Sequence, residues 1–174
     1  YSGCWFPDDV INWSPLTDAD AKFNRSRIPL QARIDNHYGS GQIETATITN
    51  KMCSLTPSQG DNNFLAYQPT YWQYMEKFIN WGGAGNEGIF VLPPAGTIDA
   101  AHLNGVKILG TLFFMPRTIG GRDGWIEAML TKDENGKYPY AVKMYEIARY
   151  FGFDGWFINK ELDNGKRVNE WSDF

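Results

Sequence analysis

Phe153-Asp154-Gly155-Trp156-Phe157-Ile158-Asn159-Lys160-Glu161 follows a helix-like segment, Tyr140 to Phe151, that ends at Gly152. Apolar residues in that segment recur at helical spacing (Val142, Tyr145, Ala148, Phe151), and a glycine just past the last of them is the usual stop. Gly155 to Asn159 then reads as a strand. The unit before it has the same form. Thr97 is the expected N-cap of a helix through Asn104, Gly105 takes the C′ position, and Val106 to Phe114 (VKILGTLFF) follows as a buried strand. Trp125 to Leu130 adds a further helical stretch between the two. Strands alternating with helices predict an α/β fold with a parallel sheet and right-handed crossovers.

Toward the N-terminus the signal changes. Gln42 to Asn50 (QIETATITN) alternates β-branched residues with their neighbours and predicts a first strand. A turn-like patch, Pro57 to Asn63, comes next. Tyr71 to Lys77 predicts a short helix leading into the apolar Phe78-Ile79-Asn80-Trp81. Residues 1–40 are rich in Asp, Asn, Pro and Trp without sustained periodicity, and read as an irregular lead-in wrapped on the rest of the domain. A chain of 174 residues is long enough for one core and buries roughly 70% of its unfolded surface.

Composition narrows the partners. The chain is 16% aromatic with seven Trp, more than folding alone requires, which points to a surface that stacks on flat apolar faces. Sugar rings and nucleobases both offer such faces, and charge separates them. The net charge is −4 and no Lys/Arg cluster occurs, so nucleic acid is excluded as the expected partner. The apolar run Gly88 to Leu92, closed by Pro93 and Pro94, is far short of the roughly 20 residues that span a bilayer, so no membrane segment is expected. A start at Tyr1 without Met or leader fits a processed end or a trimmed chain. Cys4 and Cys53 lack metal-type spacing; two free thiols are favoured over one disulfide, and neither a metal nor a cofactor is expected.

Three motifs carry bland readings. Gly83-Ala84-Gly85-Asn86-Glu87-Gly88 matches GxGxxG, but Ile89-Phe90-Val91-Leu92-Pro93-Pro94 cannot open the helix that a pyrophosphate needs, so these glycines shape a loop at a strand end. His37 and His102 have no nucleophile motif or second ligand nearby and read as structural. Asn12-Trp13-Ser14 and Asn24-Arg25-Ser26 are sequons of a kind that arises often by chance.

The 153–161 stretch carries chemistry. On a strand, Phe157, Asn159 and Glu161 share one face and Trp156, Ile158 and Lys160 the other. Two residues along a strand put their Cα atoms about 7 Å apart, enough for an amide and a carboxyl to flank one sugar. Glu161 has the chemistry to protonate a glycosidic oxygen. A retaining mechanism then needs a nucleophile, normally a second carboxylate about 5 to 5.5 Å away. Asn159 cannot serve, and Asp154, five residues earlier at the strand's start, falls on the opposite face. A 2-acetamido sugar can instead attack its own anomeric carbon, with Asn159 orienting that group. On residue types alone, a buried polar pair or a surface turn accounts for Asn159 and Glu161 equally well.

The stretch resembles the strand-4 signature of glycoside hydrolase family 85, which ends in Asn-x-Glu. It is also similar to the FDGxDxDxE motif of family 18 chitinases, with Phe157 and Asn159 replacing two acidic residues. Further segments agree with family 85 in order: Phe23-Asn24-Arg25-Ser26 through Pro29-Leu30, Tyr71-Trp72-Gln73-Tyr74, Ile98-Asp99-Ala100-Ala101-His102 with Asn104-Gly105-Val106, and Gly110 to Phe114. The resemblance implies a (β/α)8 TIM barrel, of which residues 1–40 form the lead-in and 41–174 about the first four strands. It implies cleavage between the two GlcNAc residues of the N-glycan chitobiose core with retention, and transfer to other acceptors in many members. By the same resemblance Glu161 is the general acid/base and Asn159 stabilises the oxazolinium intermediate. Trp81, Thr111, Phe113 and Phe114, at expected strand ends, are candidate walls of the glycan cleft.

A complete barrel needs about 250 residues. The chain therefore requires a second half for activity, because an isolated half would expose unpaired strand edges. The expected partners are N-linked glycans and glycoproteins. A non-catalytic, lectin-like barrel is the alternative, and the presence of Glu161 argues against it. An extracellular location is slightly favoured over a cytoplasmic one.

Overall fold

The computed structural model describes residues 3–33, 44–47, 69–162 and 167–174. One six-stranded sheet organises them: β1 (Cys4–Trp5), β2 (Glu44–Thr47), β3 (Lys77–Asn80), β4 (Phe90–Val91), β5 (Lys107–Phe114) and β6 (Gly155–Lys160). The helices are α1 (Pro7–Asn12), α2 (Ala95–Leu103), α3 (Asp123–Met129) and α4 (Pro139–Phe151). β2, β3, β5 and β6 lie side by side in chain order, and each neighbouring pair is parallel. Parallel neighbours need a crossover connection, and α2, α3 and α4 occupy the connections before β5 and β6. The expected parallel sheet is present.

Two short strands were not legible in the sequence. β4 pairs antiparallel with β5, Phe90 opposite Leu112, and β1 pairs antiparallel with β4, Trp5 opposite Phe90. Part of the lead-in is thus a regular edge of the sheet rather than irregular. It is also stitched to the body by its aromatics. Trp5 and Trp13 stack at 6.1 Å, and Trp13 sits 5.4 Å from Phe151 at the end of α4.

Several boundaries differ from expectation. α2 starts at Ala95 behind Pro94, two residues before Thr97, because proline's fixed φ suits a helix entrance. Tyr71 to Lys77 forms a single 3-10 turn, Trp72–Tyr74, before β3 begins. The first strand covers Glu44–Thr47; the rest of 42–50, the 57–63 patch and His37 lie outside the described residues. Of the expected stripe on α4, Ala148 and Phe151 are buried, but the other two residues fall outside the buried face. Val142 and Tyr145 are exposed, and the buried face is Tyr140, Met144, Ile147, Ala148 and Phe151. Val142 and Phe151 are nine residues apart, about 2.5 turns at 3.6 residues per turn, so they cannot share a face. The buried set follows the i, i+4, i+7, i+8 pattern of a helix packed on a sheet.

Phe78, Phe90, Leu112, Phe114 and Ile108 are fully buried in the core that α2 to α4 close over the sheet. Cys4 is disulfide-bonded, contrary to the favoured free thiols; the sequence holds one other cysteine, Cys53. Asn24 of the second sequon is buried, its amide donating to the Asp20 carbonyl at 3.0 Å, so the fold does not present it for glycosylation.

Candidate active site

Because β3, β5 and β6 are parallel, their C-terminal ends come out along one edge of the sheet. Register then decides which side chains meet there. Phe113 of β5 stands opposite Asn159 of β6, and Thr111 opposite Phe157. β3 ends at Asn80, and past Ile79 opposite Leu109 the neighbour of β5 on that side is β4, with Val91 opposite Thr111, so Trp81 leads straight out of β3 into the loop that follows. By the alternation of a strand, Thr111, Phe113, Phe157, Asn159 and Glu161 share one face, and Trp81 joins it through its ring contact with Phe113.

On that face Asn159 is half-buried and Glu161 is exposed. Asn159 Nδ2 donates to Glu161 Oε1 at 3.1 Å. The carboxylate sits on a fixed backbone, because the N–H groups of Glu161 and Leu162 both donate to the Phe114 carbonyl at 2.9 Å. Trp81 packs 5.5 Å from the Phe113 ring. An exposed carboxyl, an amide bonded to it and an aromatic pair therefore lie at one edge.

The remaining two expected residues have other surroundings. Thr111 is completely buried, and its hydroxyl donates to the Asn80 carbonyl at 2.9 Å, tying β5 to β3. Phe114 is completely buried on the opposite face, 5.3 Å from Trp171. Strand parity requires this, since Phe114 pairs with Lys160, one residue past Asn159.

Asp154 occupies the far end of β6 and has a different role. Its Oδ2 accepts from the Ile108 N–H at 2.8 Å and lies 2.9 Å from His102 Nε2. The other ring nitrogen of His102 lies 2.7 Å from the Ile28 carbonyl. A carbonyl and a carboxylate can only accept, so this pair of partners favours the form of His102 in which both ring nitrogens donate, the imidazolium. Burial alone would lower its pKa, but the bonds to Asp154 and Ile28 and the nearby Asp99 charge outweigh that and raise it above the ordinary 6.5. His102 is structural, as expected.

The GxGxxG stretch forms a closed loop after β3, with Ala84 and Gly88 exchanging backbone hydrogen bonds at 3.0 Å; no helix begins in it. A second loop, 116–122, follows β5 at the same edge. Periodicity does not mark it, and its one sequence signal is the Gly120-Gly121 pair. A cavity of about 340 Å³ lies on the opposite face between α4 and β6, lined by Met144, Tyr145, Ala148, Trp156 and Ile158 among others. It contains neither Asn159 nor Glu161.

A family model described as "Glycosyl hydrolase family 85" matches residues 49–174. The chain is 36% identical over 157 residues to the cytosolic endo-beta-N-acetylglucosaminidase of Mus musculus, covering 88% of this chain and 20% of that protein. It is 34% identical over 150 residues to cytosolic endo-beta-N-acetylglucosaminidase 1 of Arabidopsis thaliana, covering 80% of this chain and 19% of that one. Among solved structures, the glycoside hydrolase domain of Endo-D from Streptococcus pneumoniae R6 superposes with a TM-score of 0.74 at 30% identity, covering 89% of this chain and 24% of that chain. The chain thus spans about a fifth of the length of the curated relatives it matches. Both of those relatives are named cytosolic, which overturns the slight preference for an extracellular setting.

Proposed function

The chain belongs to glycosyl hydrolase family 85, and from that premise we propose that it supplies the acid/base side of an endo-β-N-acetylglucosaminidase acting on the chitobiose core of N-glycans. The observation that carries the reading is the 3.1 Å bond from Asn159 Nδ2 to Glu161 Oε1 at the end of β6. It holds an amide and a carboxyl together on the edge where α/β barrels do chemistry. β2, β3, β5 and β6 are the first four strands of a (β/α)8 barrel, with residues 1–40 as its lead-in. The rest of a longer protein provides the other strands.

Glu161, as the acid, gives its proton to the oxygen between the two GlcNAc residues. The acetamido oxygen of the GlcNAc whose anomeric carbon is in that bond attacks the carbon from the opposite face, closing an oxazolinium ring as the bond to the other GlcNAc's oxygen breaks and that sugar leaves. Asn159 fixes that acetamido group. With Nδ2 committed to Glu161, its Oδ1 is free to accept the acetamido N–H, and this bond strengthens as positive charge builds on the ring. Glu161, now a carboxylate, takes a proton from water or from an acceptor hydroxyl, which opens the ring from the face the leaving group vacated. Two inversions give net retention. No step calls on a cofactor. Trp81, half-buried and backed by the buried Phe113 ring, forms the aromatic wall against the sugar's apolar face. The relatives' names support a cytoplasmic setting for the reaction.

The test is mass spectrometry of an N-glycoprotein incubated with the full-length protein and with its Glu161→Gln variant. A single GlcNAc left on asparagine by wild type alone is the expected result. If both proteins bind the glycan and leave it intact, the lectin-like reading replaces this one.

A further inference from the structure

The loops after β3 and β5 meet through two glycines. A Cβ on Gly85 would lie 2.8 Å from the Ile119 carbonyl oxygen and 3.0 Å from the Gly120 Cα. A Cβ on Gly120 would lie 3.1 Å from the Gly85 Cα, and Gly120 has a φ of +103°, which side chains rarely adopt. Neither position has space for a side chain while the loops stay where they are. Each loop is also braced separately. The first is closed by the Ala84–Gly88 hydrogen bonds and rests on Phe113, where a Cβ on Gly83 would come within 3.4 Å of the Phe113 Cβ. The second is closed by Gly121 N–H donating to the Pro116 carbonyl at 3.1 Å and by the Arg117 guanidinium on both oxygens of Asp123 at 2.7 and 2.8 Å.

We infer that Gly85 and Gly120 are positioning residues: their backbone contact locks the loop that starts at Trp81 against the loop after β5, and so fixes the Trp81–Phe113 wall relative to Asn159 and Glu161. Neither glycine touches the sugar. They act through the wall, by preventing the first loop from swinging off Phe113 and widening the edge. The inference rests on the glycan-cleavage reading above for the identity of the ligand.

The test compares Gly85→Ala, Arg117→Ala and Gly124→Ala in the full-length enzyme. Gly124, in α3, has nothing within 4 Å of its would-be Cβ and serves as the control. Gly85→Ala is expected to raise KM for an N-glycan about tenfold and leave kcat within about twofold, the signature of lost uniform binding, in a protein that still unfolds in one cooperative transition; Gly124→Ala leaves both constants alone. Unchanged KM in a folded Gly85→Ala overturns the inference. If that variant does not fold, Arg117→Ala decides, because an exposed ion pair can be removed without unfolding a protein: raised KM supports the lock and wild-type KM overturns it. A wild type with no glycosidase activity refutes the reading of the previous subsection instead. The same variants are then compared by glycan affinity, where weakened binding supports the lock and unchanged binding overturns it.

Discussion

His102 Nε2 lies 2.9 Å from Asp154 Oδ2, joining α2 to the start of β6, while the same ring holds the lead-in through the Ile28 carbonyl at 2.7 Å. Asp99 holds the adjoining backbone from the same helix, accepting from Ser26 Oγ and from the N–H groups of Arg27 and Ile28. Together these bonds clasp the end of the sheet opposite the candidate site. His102 has a raised pKa, so its folded state holds a proton more tightly than the unfolded chain does. The sign follows from linkage: the contribution is fully present below the unfolded value of about 6.5 and is lost as pH rises through the higher folded value. The Tm gap between wild type and His102→Gln should narrow as pH climbs through that window. A gap that widens with pH would refute the imidazolium assignment.

Phe113 and Phe114 are neighbours in sequence and both buried, but on opposite faces of β5, one packed on Trp81 and the other on Trp171. Their alanine variants should therefore fail differently. Phe114→Ala should cost about 3–5 kcal/mol of stability, as large-to-small changes in a packed core do. Phe113→Ala, also at a buried position, costs stability as well, but it should in addition raise KM for an N-glycan by a larger factor than it lowers kcat, because Trp81 loses its backing. Urea unfolding and steady-state kinetics of the two variants decide the matter, and equal loss of glycan binding in both would sink the parity argument.

The same parity explains what could be read without coordinates. That Asn159 and Glu161 share a face is legible because two residues on a strand return to one side, and the 153–161 stretch is long enough to be recognised as a strand. Phe114 failed by that same rule, applied to Asn159 but not to its neighbour on β5. β1 and β4 were invisible because a two-residue strand has no period to detect. The stripe of α4 was misread because steps of three drift around a helix, reaching the opposite side by the third step. The His102–Asp154 clasp joins residues 52 apart, and no local pattern reports such a contact.

Cys4 sits in β1, at the sheet edge, and is disulfide-bonded. Cytosolic thiols are normally held reduced, so a disulfide in a chain with relatives named cytosolic is unexpected. The bond should be visible as a mass two hydrogens below that of the reduced chain, with Cys4 resisting alkylation under denaturing conditions until reductant is added. Immediate alkylation of Cys4 without reductant would restore the free-thiol reading.

The substrate's own 2-acetamido group is the nucleophile in the proposed mechanism, and this sets the strictest expectation. Asp154 is the next carboxylate back from Glu161, and it is committed to His102 and the Ile108 N–H at the other end of β6. An ordinary double-displacement glycosidase built on Glu161 would need a second carboxylate about 5 to 5.5 Å away, and it would accept sugars bearing a plain 2-hydroxyl. The substrate-assisted mechanism rejects them, because a hydroxyl cannot close an oxazolinium ring. Asn159→Ala should lower kcat about 10²- to 10³-fold, the scale seen when one donor to a developing charge is removed, with a much smaller change in KM. A matched pair of glycans differing only at the 2-position of the cleaved GlcNAc, assayed with the full-length enzyme, separates the mechanisms. Turnover of the 2-hydroxyl compound at a rate near that of its 2-acetamido partner would mean that a carboxylate from elsewhere in the protein is the nucleophile, and that Asn159 serves only to hold Glu161.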